Sequence, residues 1–160
     1  MSKTNIVLAV DPGIMNGICA WNIDKETPEL IVDLFTHVHI NDMTDFLADV
    51  IKNYEVKFFV VEDFQLFGKL AKQQSGSSMP ASRVIGQMEL IAKMADAPLY
   101  KQKANLLPQA LKIAGVEMPK DHSKSHRFSA YAHGYLKMHE LKMVKSALRL
   151  ELEKKNGKNS

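Results

Sequence analysis

The chain has 160 residues, of which 46% are hydrophobic and 24% are charged, and its formal net charge is +3. This length holds one globular domain with a real hydrophobic core and excludes a second full domain. The small positive charge permits binding to nucleic acid without requiring it.

Cysteine count and apolar runs indicate the setting of the protein. Cys19 is the single cysteine, so an intramolecular disulfide is impossible, and its position in a predicted strand indicates a buried thiol. The N-terminus lacks a basic-then-apolar signal pattern, and no apolar run approaches the ~20 residues of a membrane helix. We therefore expect a soluble, cytoplasmic protein without membrane contact.

The first predicted element is a buried strand over residues 5–10, a short run rich in β-branched side chains. Asp11 follows directly and opens an Asp-Pro-Gly turn, which an ordinary Asx turn would also explain. Asn16-Gly17 is a strong two-residue turn signal, so residues 18–23 are expected to return as an antiparallel strand. The pattern predicts a hairpin with an acidic residue near its tight end.

Strands and helices alternate along the rest of the chain. Apolar residues at helical spacing, with Asn41 as the N-cap, predict a helix over 41–54, and a buried-type strand over 56–61 ends in Glu62-Asp63. The polar, glycine-punctuated segment 68–82 is predicted to be a loop. The further predicted elements are strands over 30–35 and 98–100, and helices over 83–95, 108–114 and from about 125.

Asp11 and Glu62 each follow a predicted buried strand. If the two strands lie side by side in one sheet, both carboxylates are presented at the same end. Hard divalent ions such as Mg²⁺ bind a few carboxylates together with substrate phosphates, and two ions can hold the attacking and leaving oxygens of a phosphodiester. The pattern indicates a cation site that needs a further ligand from the C-terminal helix.

Four segments carry a resemblance to a known family: LAVDPGIMNG (8–17), FFVVEDF (58–64), ASRVIGQMELIAKM (81–94) and HRFSAYAHGYLK (126–137). They resemble the RuvC-type Holliday junction resolvases, especially the short phage-encoded relatives, within the retroviral-integrase/RNase H superfamily. The resemblance implies an α/β, RNase H-like fold with a mixed central sheet of about five strands flanked by helices. It also implies one nuclease domain over 1–160, with a basic helical tail from about 137 to 160.

The activity implied by the resemblance is resolution of Holliday junctions and other branched DNA, in recombination and repair. The implied enzyme is a Mg²⁺-dependent endonuclease that acts as a symmetric homodimer. Two ions per active site are expected, with Mn²⁺ able to substitute, and no nucleotide cofactor. A phage-encoded protein would act in the cytoplasm of its bacterial host.

Carried over by motif, the resemblance assigns Asp11 and Glu62 as metal ligands, and places His126 and Ser129 at the ligand positions of the last helix. Ser129 departs from the pattern, because a hydroxyl is a poorer Mg²⁺ ligand than a carboxylate. Three explanations remain open: the site uses His126 or Asp121 instead, the sequence is a substituted form of an active enzyme, or the protein binds junctions without cutting them.

The other histidines are given structural roles. His122 and His133 are assigned to capping and helix-face hydrogen bonds, because no cysteine partner or HExxH motif supports zinc. His37 and His39 are given no catalytic role. His126 is interpreted as a ligand or a proton-transfer group.

DNA contacts and a dimer helix are also predicted. Phe67, or less favourably Phe64, would insert at the branch point, as the resemblance implies, with lysines contacting phosphates. Seven Lys or Arg against three Glu make the tail from 137 basic. The other predicted DNA contacts are Lys69, Lys72, Gln73, Gln74, Ser75, Ser77, Lys101, Lys103, Lys120 and Lys124. The resemblance also implies that the dimer forms through the helix over 83–95, with a predicted face of Arg83, Gln87, Met88, Ile91 and Met94.

Two other functions remain alternatives to a junction-cutting enzyme. The chain could be an RNase H-like nuclease that acts on RNA/DNA hybrids, or a junction-binding protein with weakened or absent cleavage. An actin-like ATPase is disfavoured, because 160 residues cannot form two lobes around a nucleotide.

Overall fold

The structure, a computed structural model, describes residues 2–63 and 79–158. Its strands are β1 (Thr4–Asp11), β2 (Met15–Asn22), β3 (Glu29–Leu30), β4 (Thr36–His39), β5 (Tyr54–Asp63) and β6 (Leu99–Lys103). Its α-helices are α1 (Met43–Asn53), α2 (Pro80–Met94), α3 (Leu107–Ala114), α4 (Ser125–Glu140) and α5 (Ala147–Lys158).

The strands of the described residues form one mixed sheet. Its order is β3-β2-β1-β5-β6, and β4 pairs with β2 beside that path. β1 runs antiparallel to β2 and parallel to β5, which is itself parallel to β6. The predicted hairpin and the predicted mixed sheet flanked by helices are confirmed, with six strands in place of about five.

Helices cover both faces of the sheet, and successive residues of the central strands enter opposite cores. Leu8 and Phe59 pack in a cluster with α1 and α2, whereas their neighbours Ala9 and Val60 pack in a cluster with α4. All four are fully buried. α3 packs on α4 from outside through Ala110. The central strands β1 and β5 are therefore covered on both sides, as the apolar runs predicted.

Helix α4 approaches the sheet closely because of Gly134. A Cβ at this position would lie 2.5 Å from the Trp21 ring and 2.8 Å from the Ala9 Cβ. Only glycine fits at so close an approach without displacing the helix. The same helix carries His126 and Ser129 near its start, so this packing helps to place both against the ends of β1 and β5.

The predicted strand over 30–35 is wrong. Strand β3 ends at Leu30, and a 3-10 turn over Val32–Leu34 precedes β4. Within this turn Leu34 N–H donates to the Ile31 carbonyl and Phe35 N–H to the Val32 carbonyl, which takes these groups out of sheet pairing. The apolar side chains in this stretch matched a buried strand, but Val32 is largely exposed.

Several predicted ends are also corrected. Helix α1 begins at Met43, and Asn41 is not its cap, since Asn41 lies in a 3-10 turn whose own cap is the ring of His39. The predicted long last helix is two helices, since α4 ends at Glu140 and α5 begins at Ala147. Within the described ranges, no helix is long and apolar enough to cross a membrane.

Candidate active site

Asp11 and Glu62 lie at the same edge of the sheet, on neighbouring parallel strands. The β1–β5 register aligns Val10 with Val61, so the two acidic residues follow at equivalent positions. Asp11 is 9% exposed and Glu62 is half-buried. The structure therefore brings together the two carboxylates that the sequence predicted to meet.

The turn after Asp11 is braced by a buried asparagine. This turn occupies residues 12–14. The prediction that Asn16-Gly17 forms the turn is wrong, because both residues lie in β2. The Asn16 side chain accepts from Gly13 N–H (3.0 Å) and donates to the Val38 carbonyl (3.0 Å). The turn signal at Asn16 thus reflects a side chain that holds the Asp-Pro-Gly turn in place from within the strand.

Gly17 allows the start of α4 to cross the sheet beside Asp11. A Cβ on Gly17 would overlap the backbone carbonyl of His126, so a larger residue would push the helix away. With the helix this close, His126 Nδ1 lies 2.9 Å from Asp11 Oδ2. The His126 side chain remains 42% exposed, which leaves the ring open to a substrate on its other side.

Glu62 is held by the next turns of the same helix. Ser129 Oγ donates to Glu62 Oε2 at 2.8 Å, and His133 Nε2 lies 3.1 Å from the same oxygen. His133 Nδ1 lies 2.9 Å from Gln102 Oε1. Helix α4 therefore contacts both carboxylates, Asp11 through one residue and Glu62 through two.

The surroundings shift the pKa values of the two acids in opposite directions. Burial raises the pKa of the Asp11 carboxyl, and the nearby Glu62 charge adds to this rise, although the hydrogen bond from His126 opposes it. Burial alone would also raise the pKa of Glu62, but contacts with His133 and Ser129 outweigh it and lower that pKa. The hydrogen bond to Asp11 raises the pKa of His126. Asp11 is thus the less compensated of the two carboxylates.

His37 and His133, which the sequence analysis gave no part in the site, both lie next to it. His37 Nε2 accepts from Arg127 N–H at 3.3 Å, and its ring centroid is 6.3 Å from that of His126. Burial, with the cations of Arg127 and His126, lowers the pKa of His37. No signal in the sequence links these histidines to the site, because long-range packing of β4 and α4 brings them there.

Arg127 is a further basic residue near the site. Its guanidinium lies 4.8 Å from the ring centroid of Phe35 and 5.6 Å from that of Phe128. Such cation–π contacts hold the side chain while keeping its charge. The sequence motif HRFS contained this residue, but only the fold shows that Phe35 and Phe128 flank it.

Asp121 is not brought to this cluster. Its carboxylate accepts from Ser123 N–H (3.0 Å) and Ser123 Oγ (2.6 Å), which caps the 3-10 turn before α4. These hydrogen bonds lower the pKa of Asp121, and the residue is exposed. Within the described residues, its only charged neighbour at ion-pair distance is Lys124.

Only four of the predicted DNA contacts lie among the described residues. Lys101, Lys103, Lys120 and Lys124 are exposed, and Lys101 is paired with Glu89. The predicted contacts that lie outside the described residues are Phe64, Phe67, Lys69, Lys72, Gln73, Gln74, Ser75 and Ser77. Only the first group can therefore be placed.

The predicted dimer face on α2 is altered by the fold. Met88 and Ile91 are buried in the protein's own core, so they are not available at the surface. Gln87 is half-buried and donates to Thr44 Oγ1 at 3.1 Å. Of the predicted face, Arg83 and Met94 are exposed, and Leu90 on the same helix is exposed as well.

A cavity of about 210 Å³ adjoins Glu62, between the turn after β1 and the start of α2. In the described residues, no group of three or more His, Cys, Asp or Glu already has the geometry of a metal site. Each carboxylate nevertheless uses only one oxygen for its contacts with α4. The free oxygens and the under-compensated charge of Asp11 fit a hard cation whose remaining ligands are water and phosphate.

Comparison with solved structures identifies the fold. The chain superposes on "T. thermophilus RuvC in complex with Holliday junction substrate" with a TM-score of 0.62 and 17% identity, covering 88% of this chain and 98% of that one. A second match, "Thermus thermophilus RuvC structure", has a TM-score of 0.60 and 18% identity, covering 88% and 99%. No family model and no curated protein sequence matches the chain. The protein therefore has the RuvC-like, RNase H-like fold.

Proposed function

We propose that the protein is a divalent-metal-dependent endonuclease that cuts four-way DNA junctions. The observation that carries this proposal is the pairing of Asp11 and Glu62 on adjacent parallel strands, with His126 across from them on α4. The fold supports it, because the similar RuvC structure is described in complex with a Holliday junction.

Asp11 and Glu62 would hold Mg²⁺ or Mn²⁺, with two ions per site, through the carboxylate oxygens that do not contact α4. When bound, the metal would polarise the phosphate and make water a stronger nucleophile. His126 keeps its ring fixed through Nδ1, which leaves Nε2 to exchange a proton with solvent or with the leaving oxygen. Arg127 adds a positive charge near His37, at the edge of the site.

Symmetric cutting of a four-way junction requires two equivalent active sites. A homodimer related by a two-fold axis would supply them. We place its interface on the exposed face of α2, where Leu90 is 60% and Met94 is 66% exposed. Both are large apolar side chains that an isolated subunit leaves in water.

The proposal is tested with labelled four-way junctions, linear duplexes and RNA/DNA hybrids, each incubated with Mg²⁺, with Mn²⁺ or with EDTA. We expect paired cuts in the junction that require the metal, and little cutting of the other substrates. Preferential cutting of the hybrid would instead support an RNase H-like activity. Glu62→Gln is the matched inactive control, because it keeps the shape of the side chain and removes its charge.

Junction binding without cleavage is the second candidate function. It is favoured by Ser129, whose hydroxyl contacts Glu62 at 2.8 Å where the resembled family has a carboxylate. A site with only two carboxylates holds a second cation weakly. Tight junction binding with no cutting in either metal would support this candidate.

A further inference from the structure

His133 is a buried polar residue that the proposed chemistry leaves unused. It lies one helical turn beyond Ser129 on α4 and is 1% exposed. A buried imidazole is expected to have partners for its ring nitrogens. Here the two nitrogens face two different strands: Nε2 lies 3.1 Å from Glu62 Oε2, and Nδ1 lies 2.9 Å from Gln102 Oε1.

Gln102 contacts Nδ1 of the His133 ring. It is 5% exposed, and in the β5–β6 register it lies directly opposite Glu62. An amide can present either its oxygen or its nitrogen to an imidazole, so Gln102 can pair with either form of the ring. The three side chains thus connect β5, β6 and α4 immediately beside the candidate metal ligands.

The contacts on Glu62 are unevenly distributed between its two oxygens. Oε2 contacts both Ser129 Oγ and His133 Nε2, whereas Oε1 has no hydrogen-bond partner in the described part of the chain. Two contacts from different turns of one helix restrict rotation of the carboxylate more than one contact does. The arrangement leaves Oε1 as the oxygen available to a ligand.

We propose that His133, held by Gln102, is a positioning residue that fixes the Glu62 carboxylate for cation binding. This inference rests on the proposed function, since it assumes that Glu62 is a metal ligand. Groups that orient a ligand without touching the metal commonly change metal affinity by about 10- to 100-fold when removed. A buried histidine that only fills space would not have this effect selectively.

Two amide variants separate the roles of the ring nitrogens. In His133→Gln the amide nitrogen can reach the position of Nε2 and keep a donor beside Glu62. In His133→Asn the shorter amide reaches only the position of Nδ1, beside Gln102, and the contact with Glu62 is lost. Both replace the ring with a smaller amide, so they remove similar packing.

The test measures Mn²⁺ binding by isothermal titration calorimetry and the melting temperature of each protein. We expect His133→Asn to bind Mn²⁺ about tenfold more weakly than the parent, and His133→Gln to stay within about threefold, at similar melting temperatures. Equal affinities for the two variants would overturn the positioning role alone. A parent protein that binds no Mn²⁺ would overturn the proposed function together with this inference.

If neither His133 variant folds, Gln102→Met gives a second test on the full chain. Methionine keeps the length of the side chain and removes the hydrogen bond to Nδ1. We expect Mn²⁺ affinity to fall severalfold, because the His133 ring loses its contact at Nδ1 and is less fixed in position. An unchanged affinity in a folded Gln102→Met protein would overturn the proposal.

Discussion

Replacing Ser129 with aspartate tests how a third carboxylate at the site changes stability and cation binding. Ser129 is 3% exposed and donates to Glu62 at 2.8 Å. Aspartate at this position would remove the donor and place a third carboxylate beside Glu62 and Asp11. The change is therefore expected to destabilise the metal-free protein and to strengthen its binding of a cation.

The magnitude follows from the contact that is lost. A hydrogen bond to a charged group contributes about 1.5–3 kcal/mol, and repulsion adds to this loss, so the free energy of unfolding should fall by about 3 kcal/mol without metal. For a chain of this size, that loss lowers the melting temperature by about 6–12 °C. A cation at 1 mM that binds the folded protein with a Kd of about 10 μM raises the free energy of unfolding by about 2.7 kcal/mol. Most of the loss should thus be recovered in Mn²⁺.

The assay compares Ser129→Asp with Ser129→Asn, which has nearly the same shape and no charge. Thermal melts in EDTA and in Mn²⁺ should show metal recovery for the aspartate variant alone, and its single-turnover cleavage of a junction should exceed the parent's by about tenfold. Equal melting shifts for the two variants, with slower cleavage by Ser129→Asp, would refute the reasoning.

Three further predictions concern residues in the site and Asp121, which lies outside it. Glu62→Gln should abolish cleavage and leave junction binding intact, because it removes a metal ligand and reduces repulsion of phosphate; a gel of cut and bound junction measures both, and loss of binding would count against a metal role. Asp121→Asn should keep cleavage within about twofold of the parent in the same assay, because the Asp121 carboxylate caps a 3-10 turn through Ser123 and contacts neither Asp11 nor Glu62, and a dead variant would restore Asp121 as a ligand. The hydrogen bond to Asp11 raises the pKa of His126 above 6.5, so its stabilising contribution in EDTA is full below pH 6.5 and is lost as pH rises through the raised value. Urea unfolding across this range should show that loss in the parent and not in His126→Gln.

Local patterns were sufficient to predict the centre of the sheet. The apolar runs that form β1 and β5 are buried on both faces, and each ends in an acidic residue, so the meeting of Asp11 and Glu62 was predictable. The segment over 30–35 shows the limit of this reasoning. Its apolar residues are typical of a strand, but the backbone forms a 3-10 turn there. The hydrogen bond from Leu34 N–H to the Ile31 carbonyl belongs to this turn.

The outer parts of the site depend on contacts between residues that are distant in sequence. His133 was interpreted as a helix-face residue, and only the packing of α4 places it against Glu62 and Gln102. Met88 was predicted to lie on an exposed dimer face, but the orientation of α2 on the sheet buries it in the core. Helical spacing shows which residues share a face, but it does not show which face meets the sheet.

The most direct test of the central claim compares the parent protein with Asp11→Asn on one labelled four-way junction in Mn²⁺. Binding and single-turnover cleavage are measured in the same samples, with EDTA as the metal-free control. We expect the parent to cut the junction only with metal, and Asp11→Asn to bind it at least as tightly without cutting it. Cleavage by Asp11→Asn at the parent's rate, or cleavage by the parent in EDTA, would contradict a metal site built on Asp11 and Glu62.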